Sequence, residues 1–349
     1  MNAARHPDGI SSDAVYEHSP VTRRKITDLF SREEIQRLTA RSDAWGAWGI
    51  ASTWGLIAGA FALTGWALTQ PLAVMIPAGG LGVALLGGRQ LALAILTHEA
   101  SHKTLFASGR ANDVLADWLC ARPLGLDLAK YRVHHFIHHT RTGTAEDTDI
   151  SLVAGLPCSR ASLLRKFARD LSGLTGLKFL LGRVLMDAGF LKWTVASQVE
   201  KLPQEGRSPW EVLKTFVGNT WKAAVMNGLL YGALAATGHG ELYLAWVLAY
   251  LIPYPLFIRI RAMAEHAGTE KSADMFRNTR TTRAGLIART FVAPCHVNFH
   301  IEHHAMASVP YYRLPEAHAL LRARGLVEEP PGYLEVIDRL SSPPEGAAA

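Results

Sequence analysis

Cysteine is scarce: Cys120, Cys158 and Cys295 are the three in a chain of 349 residues. They are too few and too scattered for a disulfide framework or a CxxC metal site. Three idle thiols suit a reducing compartment. Charge is also sparse, at 19% of residues. The basic residues are spread out and interleaved with acids, so no nucleic-acid partner is expected. The opening stretch MNAARHPDGISSDAVYEHS has no apolar core, and no secretory signal is expected from it. No GxSxG motif is present, which leaves acyl transfer by an activated serine without support.

What fills the space is apolar sequence. Residues 44–68 run 25 positions without a charge, 71–88 add 18 more, and 91–97 follow after Arg89 and Gln90. A run of roughly 20 apolar residues spans a bilayer as a helix. Weaker runs lie at 223–238 and 242–258. Two helical hairpins in succession predict an all-α integral membrane protein with about four transmembrane helices, at about 44–68, 71–97, 216–238 and 242–262. The predicted order is a cytoplasmic segment 1–42, a membrane domain 43–325 and a tail 326–349. Ser31 and Glu34 form a capping-box signature in the first segment. Residues 160–195 mix Leu/Phe pairs with Arg/Lys at helical spacing, as an interfacial helix or one packed on the cytoplasmic domain would.

The turns Thr69–Gln70 and 239–241 carry no Lys or Arg, whereas the termini and the central region carry them. The positive-inside rule then places both termini and the central region in the cytoplasm. A net charge of +6 and a pI near 9.3 suit an anionic leaflet. Helix two, from 71 to 97, would be about 40 Å long against roughly 30 Å of hydrocarbon, so its end emerges on the cytoplasmic side carrying HEASH. Arg89, nine residues before His98, is expected to snorkel toward the headgroups.

Histidine is concentrated. HEASH supplies His98 and His102; HHFIHH supplies His134, His135, His138 and His139; AEH supplies His266 beside Glu265; HVNFHIEHH supplies His296, His300, His303 and His304. Spacings of three and four on a helix let rings reach one ion, and neutral imidazole is the commonest metal ligand. One helix-compatible set from each cluster gives nine: His98, His102, His135, His138, His139, His266, His300, His303 and His304. Nine exceeds the capacity of one ion, so a dinuclear centre is predicted. Imidazole alone does not choose among iron, zinc, copper and nickel. Asp147, Asp149, Glu265, Asn298 and His134, with Glu99 and Glu302 behind them, are the groups that could orient those rings. Helical geometry admits His134 or His135 equally as the partner of His138 and His139.

The boxes HxxxH (98–102), HxxHH (135–139) and HxxHH (300–304), in this order after the second and fourth predicted spans, resemble the membrane fatty-acid desaturase and hydroxylase superfamily. TGTAEDTD, RAMAEH, TRTT and HIEHHAMASVPYYRLPEAH add to the likeness, which covers roughly residues 40–325 and is closest to its bacterial branch. The resemblance implies a non-haem centre of two iron ions that activates O2 and takes hydrogen from an unactivated C–H bond. It implies a cytoplasmic helical cap holding that centre, makes His135 rather than His134 the ligand, and matches His266 to the extra upstream histidine. It further implies a lipid or long apolar substrate. HPDG (6–9) only partly matches the HPGG of a fused haem domain, and no ferredoxin or rubredoxin cysteine pattern is present, so the electron donor (ferredoxin, rubredoxin or cytochrome type, with its reductase) is expected to be a separate protein. Desaturation is the first expectation. Hydroxylation of a lipid, sphingolipid, carotenoid or alkyl chain is the second, and a zinc hydrolase or metal-binding receptor the third.

Overall fold

The computed structural model describes residues 25–193, 199–272 and 274–342. HPDG (6–9), most of the N-terminal segment and the last seven residues lie outside the described residues. The labelled helices are α1 (Arg32–Leu38), α2 (Asp43–Leu68), α3 (Leu72–Ser101), α4 (Gly109–Ala116), α5 (Leu128–Arg141), α6 (Arg160–Leu171) and α7 (Leu174–Asp187). A small antiparallel pair follows, β1 (Leu191–Trp193) with β2 (Val199–Lys201). Then come α8 (Pro209–Ala236), α9 (Tyr243–Leu251), α10 (Pro253–His266), α11 (Leu286–Phe291), α12 (His300–Ala305), α13 (Leu314–Ala323) and α14 (Tyr333–Ser341). Ser31 closes the expected capping box at the start of α1.

Among the described residues three segments are long and apolar enough to cross a membrane: Arg32–Leu68, Leu72–Ser101 and Gly240–His266. Four were expected, and the difference lies in α8. It is a helix of 28 residues and long enough, but Lys214 and Lys222 interrupt its first half and none of its residues is buried. The Lys222 ammonium reaches Asp117 at 3.3 Å and lies over the rings of Trp118 and Trp221. The last span is broken rather than continuous. Pro253 has no backbone N–H to continue α9, so the helix stops at Leu251 and restarts as α10.

The α2–α3 hairpin closes tightly because Gly82 faces Thr64; a Cβ there would collide with the Thr64 hydroxyl. Small residues at such crossings let helix backbones approach. From Leu86 to Ser101 nearly every residue of α3 is buried, so this helix is the central post of the molecule. It packs against α2, α5, α9, α10 and α11. At 30 residues it is about 45 Å long, more than the hydrocarbon needs, and its last turn carries the buried His98 and Glu99. Arg89 does not snorkel. Its guanidinium is buried and donates to the carbonyls of Arg289, at 3.5 Å, and Thr290, where it satisfies the open end of α11.

The stretch 160–187 forms two helices rather than one, with Gly173 in the left-handed region between them. The described part of the expected tail, up to residue 342, packs on the body of the molecule. The α14 residues Val336 and Leu340 pack with Met263 of α10 and Leu163 of α6.

Candidate metal centre

Four pieces of chain deliver the imidazoles. His98 and His102 sit on the last turn of α3. The second box rides on α5, which starts sharply because the Asp127 carboxylate accepts the N–H groups of Ala129 and Lys130. His266 is the final residue of α10. His300, His303 and His304 are carried by the six residues of α12.

The nine predicted histidines divide into two groups. His98, His102, His135, His139 and His303 form one; His138, His266, His300 and His304 form the other, and within each group the nitrogens lie within 4.8 Å of one another. His135 Nε2 is 2.8 Å from His102 Nε2 and 3.0 Å from His139 Nε2, which is 3.0 Å from His303 Nε2. In the second group His300 Nε2 lies 2.8 Å from His266 Nε2 and 3.1 Å from His304 Nε2.

These contacts test whether a metal fits. An imidazole nitrogen has one in-plane site, which is either a lone pair or an N–H. His135, His139 and His300 each turn a single Nε2 toward two other ring nitrogens, and no assignment of protons satisfies both neighbours. A cation shared by the group satisfies all of them at once. His98 points the same way, since both of its ring nitrogens are buried without a hydrogen-bond partner. The donor set is all imidazole, which suits iron, zinc, copper or nickel.

The electrostatics favour neutral rings. Burial, reinforced by His138 and Arg132, lowers the His102 pKa to about 4. Burial and the crowding of other imidazoles hold His135, His139, His300, His303 and His304 well below the usual histidine value. Rings kept unprotonated keep a lone pair for a metal. His138 moves the other way. Burial pulls its pKa down, but Asp149 and the Asp147 hydrogen bond outweigh it. Asp147 Oδ1 accepts from His138 Nδ1 at 2.7 Å, leaving Nε2 of that ring for the site.

The remaining predicted residues take varied places. His134 is outside both groups; its Nε2 lies 3.1 Å from Asp149 Oδ1 and its side chain is 32% exposed. Asp149 also stands 3.9 Å from His138. Glu265 accepts from Arg261 Nε at 2.7 Å and comes within 3.6 Å of His300 Nε2. Among the described residues Asn298 makes no hydrogen bond to an imidazole. Its side-chain amide donates to the Thr282 carbonyl at 2.9 Å, and the Thr282 N–H donates to the Asn298 backbone carbonyl, so it pins the loop before α12. His296 lies outside both groups. Glu99 accepts from the Tyr311 N–H and the Thr104 hydroxyl. Sequence reasoning missed Tyr131, whose ring stacks on His135 at 5.4 Å between centroids. The signal available for it was its position four residues earlier on the same helix face.

A bundle of apolar helices with two adjoining imidazole groups at the end of its central post defines a membrane-type class with groups able to hold metal ions. A family model described as fatty acid desaturase matches residues 75–335, and the chain belongs to that family of oxidoreductases. It is similar to the dihydrorhizobitoxine desaturase of Bradyrhizobium elkanii, with 26% identity over 317 residues, covering 88% of this chain and 82% of the relative.

Proposed function

We propose that the protein is an O2-dependent di-iron oxidase of the cell's inner membrane that introduces a double bond into a fatty-acyl or other lipid chain. The observation that carries this reading is the division of nine imidazoles, six buried and three half-buried, into a group of five and a group of four. In it, His98, His102, His135, His139 and His303 hold one ion, and His138, His266, His300 and His304 the other. Bound iron would supply the redox capacity to activate O2 and take hydrogen from an unactivated C–H bond.

The protein's own groups prepare that chemistry. Burial keeps the ligand rings other than His138 neutral. Asp147 fixes the tautomer of His138, and Tyr131 packs flat on His135 and limits its rotation. Glu265 lies between Arg261 and His300, where its charge offsets part of the positive charge of the site. The relative named as a desaturase supports desaturation ahead of hydroxylation. The distribution of Lys and Arg supports both termini and the site facing the cytoplasm, with α8 as a fourth span. The cysteine content supports a separate ferredoxin, rubredoxin or cytochrome-type electron donor with its reductase.

Two measurements test the reading. Metal analysis of purified protein should give two iron ions per chain; stoichiometric zinc without iron would sink it. Lipid mass spectrometry of a host expressing the chain should show products lighter by two hydrogens. A gain of one oxygen would make the protein a hydroxylase instead.

A further inference from the structure

Helix α12 is only six residues long, yet it carries three of the nine imidazoles. A helix this short is not stable alone, so its neighbours must fix its rotation. That rotation matters doubly, because His303 belongs to the five-membered group while His300 and His304 belong to the other. A turn of α12 about its axis would displace both groups together.

Glu302 lies on this helix between the ligands and is 1% exposed. A buried carboxylate is costly unless its oxygens are hydrogen-bonded. Both are. Glu302 Oε2 accepts from the Thr281 hydroxyl at 2.5 Å, and the same hydroxyl oxygen accepts the Ile301 N–H at 3.1 Å. Glu302 Oε1 accepts from Nδ1 of His318 at 2.7 Å. His318 comes from α13 and also packs its ring on Phe299, 5.0 Å between centroids, at the residue that precedes α12. One side chain outside both imidazole groups therefore grips the short helix at two points.

We propose that His318 is a positioning residue for the metal centre. Through Glu302 and Phe299 it sets the rotation of α12, and with it the approach of His300, His303 and His304 to their groups. This rests on the metal-binding reading above, and it concerns ion retention rather than the reaction.

The test uses full-length protein in detergent, loaded with ferrous iron without oxygen, and follows iron release to a chromophoric chelator. Four variants accompany wild type. His318→Ala removes both contacts. His318→Leu removes the hydrogen bond but keeps apolar packing on Phe299, and it serves where the alanine variant does not fold. His318→Asn places an amide N–H where Nδ1 was. Leu321→Ala cuts a buried α13 residue of the neighbouring core and reports simple loosening of that helix. His318→Ala and His318→Leu should release iron about 10- to 100-fold faster, the range for losing a group that orients metal ligands. His318→Asn should restore retention close to wild type, and Leu321→Ala should lower the thermal midpoint without speeding release. Wild-type release from the Ala and Leu variants overturns the proposal, as does failure of Asn to restore it or equal acceleration by Leu321→Ala. A wild-type chain that binds no iron overturns the metal-binding reading itself, and this proposal with it.

Discussion

His138 and Asp147 meet at 2.7 Å, Nδ1 to Oδ1, across the turn that follows the second histidine box, and both side chains are nearly closed to solvent. It is the shortest contact that the structure shows between one of the nine imidazoles and a carboxylate among the described residues. Asp147→Asn keeps the shape and removes the charge. It should lower metal affinity by about 10- to 100-fold, because an orienting partner of a ligand ring is lost. The loss should fall on one of two ions. Metal titration should show one tight equivalent remaining and one weakened, and equal weakening of both would contradict the grouping.

The adjacent residues His134 and His135 should behave differently. His135 Nε2 sits between two other ring nitrogens, whereas His134 is partly exposed and reaches only toward Asp149. His135→Ala should remove metal and product together. His134→Ala should retain two ions and most activity. Metal content of the two purified variants, compared at equal membrane yield, checks this; a His134 variant lacking metal would move the ligand set by one residue.

Spacings of three and four on a helix make most of the nine imidazoles legible in the sequence, but they admit His134 as readily as His135, and the family resemblance made that choice. Their division is not. It depends on which side of α5 each ring leaves: His135 and His139, four apart, face one group while His138 faces the other. Partners from distant segments are hidden for the same reason. Nothing in the spacing of Glu302 reveals that His318, across a loop and on another helix, holds it. Three of the four expected spans were legible through apolar length, which measures transfer from water and not packing. It could not show that Pro253 breaks the last span, nor that Arg89 ends as a cap on α11.

The hairpin of α2 and α3 offers a stability prediction remote from the site. Gly82→Ala drives a methyl group into the Thr64 hydroxyl and close to the Ala60 carbonyl, at 3.3 Å. Overpacking of this kind costs about 1–3 kcal/mol. Thr64→Ala should relieve part of it, so the double variant should be more stable than the sum of the single changes. Thermal unfolding in detergent measures all three, and strict additivity would show that the two residues do not press on each other.

Acid should destabilise the metal-free protein well above the pH at which carboxylates titrate. For His102 the folded pKa is about 4 against about 6.5 in an unfolded chain. Between those values the unfolded state binds the extra proton, so stability rises with pH and levels off above about 6.5. His135, His139, His300, His303 and His304 are shifted the same way by burial and act in the same window. His138 opposes them. Its folded pKa is raised, so its contribution is present at low pH and lost as pH rises through that value. Among these seven rings six shift downward and one upward, so their combined slope is positive. Melting temperatures of metal-free protein should therefore fall steeply from about pH 6.5 toward pH 4, and bound metal should lift the curve most above pH 6.5, where no proton competes for the rings. A flat profile across this window would mean that the rings are not buried as neutral imidazoles.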